Sequence, residues 1–183
     1  MIYTEITPNP ASLKFIIGSV LLSRGSADFP NVESTQDAPI AAKLFNFKFV
    51  EAVFVSQNFI TITKGEDFAW EEVIPIVKDY LKAYIKSGQD FLLGKYKKIE
   101  HKETEIEDNE LTQRIKSLLD SHVRPAVAMD GGDIIYESFD DGTLRLRLQG
   151  SCSGCPSSVI TLKQGIEGLM TRMIPEVKTV EAV

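Results

Sequence analysis

Two cysteines, Cys152 and Cys155, are the only cysteines in the sequence, and Gly150 and Gly154 lie beside them. A C-x-x-C pair places two sulfurs close enough to bind one metal atom or to form one disulfide. Zinc sites, iron–sulfur sites and thioredoxin-like redox sites all use this spacing, so the motif alone does not distinguish them. The alternative without chemistry is a pair of ordinary buried residues, and the spacing and the two glycines disfavour it.

The cysteines are predicted to lie in a turn between a strand and a helix. Residues 143–149 alternate leucine with more polar residues, which is typical of a half-buried strand. From Val159 to Met173, apolar residues recur at steps of three and four, which is typical of an amphipathic helix. Pro156 suits the first turn of that helix. Cys155 is therefore expected beside the helix N-terminus, where free amides and the helix dipole favour a thiolate.

The composition is that of an ordinary globular protein with 183 residues, 43% hydrophobic and 25% charged. Such a chain can form a core without disulfides, and a disulfide across so short a loop would add little stability, so we expect a reducing compartment. A net charge of −6 argues against sequence-independent nucleic-acid binding. No apolar run approaches the roughly 20 residues of a membrane span, and the N-terminus lacks a secretory signal pattern. A soluble, cytoplasmic protein is predicted, or a mitochondrial matrix protein if a transit peptide has been removed.

Residues 1–94 are predicted to form a separate α/β domain. Strand-like runs and two helical runs make up most of it: strands at 2–6, 13–17, 20–22, 49–55 and 59–63, and helices at 38–45 and 68–85. Residues 23–36 are predicted as a loop, with Phe29 folded back against the core. The domain contains no cysteine and no histidine, so we expect it to act by shape and surface as a partner-binding module.

Residues 95–108 are predicted as a charged linker, and residues 109–183 as a second domain with the order α-β-β-α-β. The chain is thus predicted to be α+β, with two small mixed domains. A helix over 111–123 is expected to end before Pro125, with His122 as a cation on its last turn. Residues 130–133 read as a turn before a strand rather than as a metal loop, and His101 as a solvated linker residue.

Five segments of the second domain carry a family resemblance, and a sixth lies near the N-terminus. They are residues 123–127 (VRPAV), 130–134 (DGGDI), 150–158 (GSCSGCPSS), 161–163 (TLK) and 165–167 (GIE), together with 7–10 (TPNP) followed by Lys14 and Phe15. The first five resemble the C-terminal domain of NifU, as found in Nfu-type proteins. The N-terminal segment resembles the Nfu N-terminal domain, and the two resemblances together cover nearly the whole chain.

The resemblance implies an iron–sulfur scaffold or carrier without enzymatic activity. Cys152 and Cys155 would be the metal ligands of a [4Fe–4S] cluster that is handed to apo recipient proteins, while upstream assembly proteins supply iron and sulfur. Such clusters normally take four cysteine thiolates, and this chain has two. We therefore expect a homodimer bridged by the cluster, with an exposed site that releases the cluster by thiolate exchange.

Two alternatives share the C-x-x-C motif. A thioredoxin-like thiol–disulfide oxidoreductase also carries it at a helix start after a strand, although the second domain is short for that fold. A zinc-binding interaction module could share one tetrahedral ion between two chains. Hydrolase and transferase classes are disfavoured, because the sequence has no Gly-x-Ser-x-Gly, Walker loop or dinucleotide fingerprint.

Overall fold

The computed structural model describes residues 1–23, 25–93, 109–153 and 156–183. The chain divides into two compact units, Met1–Lys102 and Glu103–Val183, and each has both helices and a sheet, which confirms the α+β class. The predicted linker, residues 95–108 with His101, lies outside the described residues, so the predicted domain boundaries remain predictions. None of the helices in the described part of the chain has both the length and the hydropathy to cross a membrane.

The first unit is a five-stranded antiparallel sheet with strand order β1-β2-β5-β4-β3. Its strands are β1 (Ile2–Ile6), β2 (Ser12–Ile17), β3 (Ala27–Phe29), β4 (Val50–Val55) and β5 (Phe59–Lys64). Its helices are α1 (Pro39–Leu44) and α2 (Trp70–Lys86), and Pro75 lies inside α2. The strands consist mainly of β-branched and aromatic residues, which pack well on a pleated surface.

A single hydrophobic cluster holds the first unit together. Alternate residues of β2, such as Leu13 and Phe15, share a face of the sheet and are buried in this cluster. Val73, Val77 and Leu81 of α2 follow at four-residue steps and are fully buried in the same cluster. The alternate residues of the strands and the residues on one face of α2 therefore pack together in one core.

The predicted loop and one predicted strand in the first unit were wrong. Residues 20–22 are not a strand, whereas the stretch predicted as a loop contains β3 and a 3₁₀ helix, Val32–Thr35. Strand β3 has only three residues with a central aspartate, so its pattern is too short to be recognised, and pairing with β4 defines it. Phe29 is fully buried, as predicted.

The second unit is a three-stranded sheet with order β6-β7-β8. Strands β6 (Gly132–Asp140) and β7 (Thr143–Gly150) form the predicted hairpin, with Asp141 and Gly142 at positive φ in its turn. Helix α5 (Pro156–Met173) then returns the chain to β8 (Thr179–Ala182), which pairs parallel to β7. The cysteine turn is the connection between β7 and α5.

The first helix of the second unit continues past Pro125, contrary to the prediction. Helix α3 (Glu110–Leu118) is followed by a π turn, Leu119–Val123, and then by α4 (Arg124–Met129). The Arg124 amide donates to the carbonyl of Leu119, five residues back. This wider turn comes directly before Pro125, which has no N–H to contribute. His122 therefore lies in the middle of a helical segment, and its predicted role on a last turn was wrong.

The spacing of buried residues explains the π turn. Four buried residues follow one another at uniform four-residue steps, namely Ile115, Leu119, Val123 and Val127. In a regular α-helix each step of four rotates a side chain by about 40°, which would place Val127 about 120° away from Ile115. One wider turn removes most of that rotation, so that all four side chains reach the same core.

Candidate metal centre

The cysteine turn begins where β7 ends. Gly150 is the last residue of β7 and has φ +70°, a left-handed conformation that glycine adopts without strain. The Ser153 amide and hydroxyl both donate to the Gly150 carbonyl, at 3.1 and 2.9 Å, which closes a tight turn around Cys152. Helix α5 starts at Pro156. The predicted arrangement of strand, thiol turn and helix is therefore confirmed for the described residues, whereas Gly154 and Cys155 lie outside them.

A second loop, between α4 and β6, supports the cysteine turn. The Ser151 amide donates to the Gly131 carbonyl at 3.3 Å, and the Ser151 hydroxyl donates to the Asp130 carbonyl. Gly131 and Asp130 belong to the DGGD motif, whose predicted role as a turn before a strand is confirmed. The DGGD motif and the cysteine turn are thus adjacent in the structure and are joined by hydrogen bonds from Ser151.

Gly132 is required by close packing against the cysteine. A Cβ atom at this position would lie 3.0 Å from Cys152 Sγ and would overlap the carbonyl oxygen of Gln149. A backbone oxygen in a paired strand cannot move aside cheaply, so no larger residue fits here. Gly132 therefore fixes how closely the start of β6 approaches the thiol.

Cys152 is buried, with 4% of its surface exposed, and it belongs to the hydrophobic cluster of the second unit. Burial raises the pKa of the Cys152 thiol, the neighbouring Ser151 hydroxyl lowers it, and the charges of Asp130 and Asp133 raise it further. The net direction is upward, because desolvation disfavours the thiolate. The sequence argument favoured a thiolate at Cys155, beside the helix start, and it did not consider the core around Cys152.

The remaining polar residues near the turn do not form a metal site by themselves. Asp133 Oδ1 accepts from the Ile134 amide at 2.7 Å and lies 3.2 Å from Arg124 Nε, so it is engaged within the fold. His122 Nδ1 lies 2.7 Å from the Ser121 hydroxyl. Within the described ranges, no group of three or more histidine, cysteine or acidic residues could hold a metal ion. The soft donor that the described part of the turn offers is the sulfur of Cys152.

Sequence reasoning missed two residues of the site. Arg124 was considered only as the end of a helix, and Gly132 only as part of a turn. Asp133 could have pointed to Arg124, because an aspartate at the start of a buried strand needs a hydrogen-bonding or charged partner. The need for Gly132 depends on a contact between β6 and the cysteine turn, which the sequence does not display.

Comparisons with known proteins match both units. Residues 2–88 match a family model described as "Scaffold protein Nfu/NifU N terminal", and residues 115–181 match one described as "NifU-like domain". The human protein named "NFU1 iron-sulfur cluster scaffold homolog, mitochondrial" is 42% identical over 183 residues, which is 100% of this chain and 71% of the human protein. The chain belongs to the Nfu/NifU family. Cys152 thus lies in the NifU-like domain, and the sheet of five strands lies in the Nfu N-terminal domain.

Other members of the Nfu/NifU family differ from this chain in length. "NifU-like protein 4, mitochondrial" from Arabidopsis thaliana is 43% identical over 184 residues, but these cover 98% of this chain and only 65% of the plant protein. The chain therefore spans slightly less than two thirds of that relative. The solution NMR structure of a NifU-like protein from Saccharomyces cerevisiae matches 50% of this chain and 83% of the Saccharomyces chain, with 28% sequence identity and a TM-score of 0.45.

Proposed function

We propose that this chain is a scaffold or carrier for iron–sulfur clusters, with a [4Fe–4S] cluster as its cargo. Cys152 and Cys155 would supply its protein ligands. The observation that carries the proposal is a C-x-x-C turn between a strand and a helix in a NifU-like domain, residues 115–181. The name of the human relative, an iron–sulfur cluster scaffold homolog, supports it.

The cluster would be shared by two copies of the chain. A cluster of this type takes four thiolates, and each chain has two cysteines. Two large apolar side chains next to the turn are exposed: Met129, which precedes Asp130, at 73%, and Ile160, one turn into α5, at 57%. Exposed apolar residues around an incomplete site support contact with a second molecule.

Loading requires the cysteine turn to open. The Cys152 thiol is packed in the core, whereas a ligand sulfur shared between chains must reach the surface. Hydrogen bonds from Ser151 and Ser153 hold the turn, and a short connection of this kind can open locally without unfolding β7. Release would follow by stepwise exchange of thiolates with those of an apo recipient protein, and no catalytic step is part of the proposal.

The compartment follows from the relatives rather than from the site. The names of the Arabidopsis and human relatives both include "mitochondrial", which supports the mitochondrial alternative over the cytoplasmic prediction. Recipients and upstream assembly proteins would then be mitochondrial proteins with vacant cysteine sites.

The test is anaerobic reconstitution with iron and sulfide, followed by measurement of metal content, absorption and molecular mass on one sample. We expect a brown dimer with about two iron and two sulfide ions per chain, as four shared thiolates require. Cys152→Ala and Cys155→Ala are each expected to abolish both the absorption and the cluster-dependent dimer.

Ser117→Ala is the control, because it truncates an exposed side chain of α3 in the same unit without removing a sulfur and without touching the cysteine turn. It is expected to load as the unchanged chain does. A colourless, monomeric product from the unchanged chain would overturn the proposal. A colourless dimer that contains zinc instead would support the zinc module, and reversible disulfide turnover without iron would support the oxidoreductase.

A further inference from the structure

Arg124 connects the helix before the DGGD turn to the first residues of β6. Its Nη1 lies 2.9 Å from Asp120 Oδ1, and its Nε lies 3.2 Å from Asp133 Oδ1. Its Nε and Nη2 each lie 3.3 Å from the Ile134 carbonyl oxygen. The planar guanidinium thus holds two carboxylates and a backbone oxygen at once, which a lysine ammonium could not do with the same geometry.

The π turn determines where this guanidinium lies. It adds one residue to the helix directly before Arg124, and such an insertion redirects the side chains that follow it. Arg124 therefore faces Asp120, one turn earlier, and the start of β6. The wider turn both aligns the buried residues of the helix and places a fixed positive charge beside Asp133.

Asp133 brings a negative charge close to the cysteine turn. Its side chain is only 13% exposed, and it is the residue after Gly132, whose Cα packs against Cys152. A cluster held by four thiolates carries a net negative charge, so a nearby carboxylate repels it unless a cation offsets the carboxylate charge. The Arg124 guanidinium contacts this carboxylate directly, with its Nε 3.2 Å from Asp133 Oδ1.

We propose that Arg124 is a positioning residue for the metal centre, which holds Asp133 at the start of β6 and offsets its charge so that an anionic iron–sulfur cluster is tolerated at Cys152. This inference rests on the proposed function. If Arg124 only linked the helix to the strand, its removal would affect the stability of the fold and not the cluster. If it offsets the charge of Asp133, the effect of its removal on the cluster depends on whether Asp133 is charged.

The test is a double-mutant cycle with Arg124→Gln and Asp133→Asn on the full chain loaded with a cluster. The readouts are the rate at which an iron chelator removes the cluster, the reduction potential of the cluster, and the thermal midpoint of the cluster-free protein. Arg124→Gln is expected to speed cluster loss about tenfold and to lower the potential, because the positive charge that contacts Asp133 is removed while the carboxylate stays. Adding Asp133→Asn is expected to restore both within about twofold, because the charge is removed.

Arg145→Gln is the matched control. Arg145 Nε lies 3.2 Å from Glu181 Oε2 on the same sheet, and its side chain is 40% exposed against 42% for Arg124. Arg145 thus forms the same kind of arginine–carboxylate ion pair as Arg124, but it lies in β7, well before the cysteine turn. The rate of cluster loss from Arg145→Gln is therefore expected to stay within about twofold of that of the unchanged chain.

The outcomes separate this inference from the proposed function. If the unchanged chain takes up no cluster, the proposed function fails. If it loads normally and Arg124→Gln loses its cluster no faster than Arg145→Gln does, the role of Arg124 is overturned. A double variant that loses its cluster as fast as Arg124→Gln does would also overturn the role of Arg124, because the effect would then not depend on the charge of Asp133. If Arg124→Gln alone does not fold, the rate of cluster loss is compared between the double variant and Asp133→Asn. With the carboxylate charge removed, Arg124 should no longer matter, so rates that differ by more than about threefold contradict the inference.

Discussion

The two units differ in what their interiors contain. The first unit is a five-stranded sheet whose core is made of aliphatic and aromatic residues, and its sequence has neither cysteine nor histidine up to residue 94. The second unit has only three strands, yet its core includes the Cys152 thiol, with the Asp133 carboxylate buried nearby. The smaller core thus carries the reactive group, while the larger one carries none.

This difference indicates a division of roles within the chain. The first cluster consists of aliphatic and aromatic side chains, and none of its described members is a thiol or a carboxylate. The second core includes a thiol and a buried carboxylate, so its packing depends on Gly132 beside Cys152 and on Arg124 beside Asp133. The two kinds of core therefore respond differently to substitution, pH and modification of thiols.

The largest expected effect is on the first core. Phe15→Ala removes a fully buried ring from the cluster of the first unit and is expected to lower its stability by about 3–5 kcal/mol. The measurement is native-state hydrogen exchange of amides in β2 and β5. The described residues of the two clusters have no member in common, so amides in β6 and β7 serve as the internal control. Equal loss of protection in both sheets would contradict the conclusion that the two cores respond differently to substitution.

Gly132→Ala is expected to damage the second core alone. Its methyl group would overlap the Gln149 carbonyl and press on Cys152 Sγ, at a cost of about 3 kcal/mol. Gly165→Ala in α5 is the matched control, because a Cβ there meets no atom within 4 Å, and it should stabilise the helix by up to about 1 kcal/mol. Thermal unfolding measures both changes. Equal stability of the two variants would show that Gly132 is not tightly packed.

The thiol itself offers a smaller test. In a Cys155→Ala background, Cys152 is expected to react with iodoacetamide at least about tenfold more slowly in the folded protein than in denaturant, since burial limits access and raises its pKa. A raised pKa means that the folded thiol is still gaining thiolate at a pH where the unfolded thiol is already ionised. The folded rate should therefore keep rising at higher pH. Equal rates in both states would show that Cys152 is exposed.

The smallest expected effect concerns Tyr80 of α2. Its hydroxyl is buried and has no hydrogen-bond partner among the described residues, and burial, with the nearby Tyr84, raises its pKa to about 12. Tyr80→Phe is therefore expected to be neutral or stabilising by about 1 kcal/mol. The folded state favours the neutral phenol, so the stability that this shift contributes is complete below pH 10 and is lost as pH rises towards 12.

Chemical denaturation at pH 8 and at pH 11 measures the Tyr80 effect. The unchanged chain should lose more stability between these two conditions than Tyr80→Phe does. Tyr84→Phe is the control one turn later, because the Tyr84 hydroxyl donates to the Asp90 carbonyl at 2.7 Å and its removal should destabilise the first unit. A Tyr80→Phe variant that is as unstable as Tyr84→Phe would contradict the assignment.

Local patterns in the sequence were sufficient for much of the fold. The alternating leucines of β7, the turn at Asp141 and Gly142, and the helical period after Pro156 each have a period or a turn chemistry that depends on nearby residues only. They placed Cys152 between a strand and a helix, as observed. The predicted helix over 68–85 likewise corresponds to α2.

The remaining features depend on contacts between distant segments. Cys152 is buried in the hydrophobic cluster of the second unit, close to Gly132, and the short strand β3 is defined by its pairing with β4. The rule that a helix ends before proline failed at Pro125, because the π turn allowed the helix to continue. In each case tertiary packing overrode a local preference, which a single sequence does not reveal.

The π turn at Leu119–Val123 also records a tolerance for changes in chain length. Removing one exposed residue from it, such as Ser121, would leave eleven steps between Ile115 and Val127, which in a regular α-helix amounts to a residual rotation of about 20°. Both residues would still face the same interior. The loss of one residue at this point would therefore be absorbed within one turn, and the flanking segments would keep their orientation.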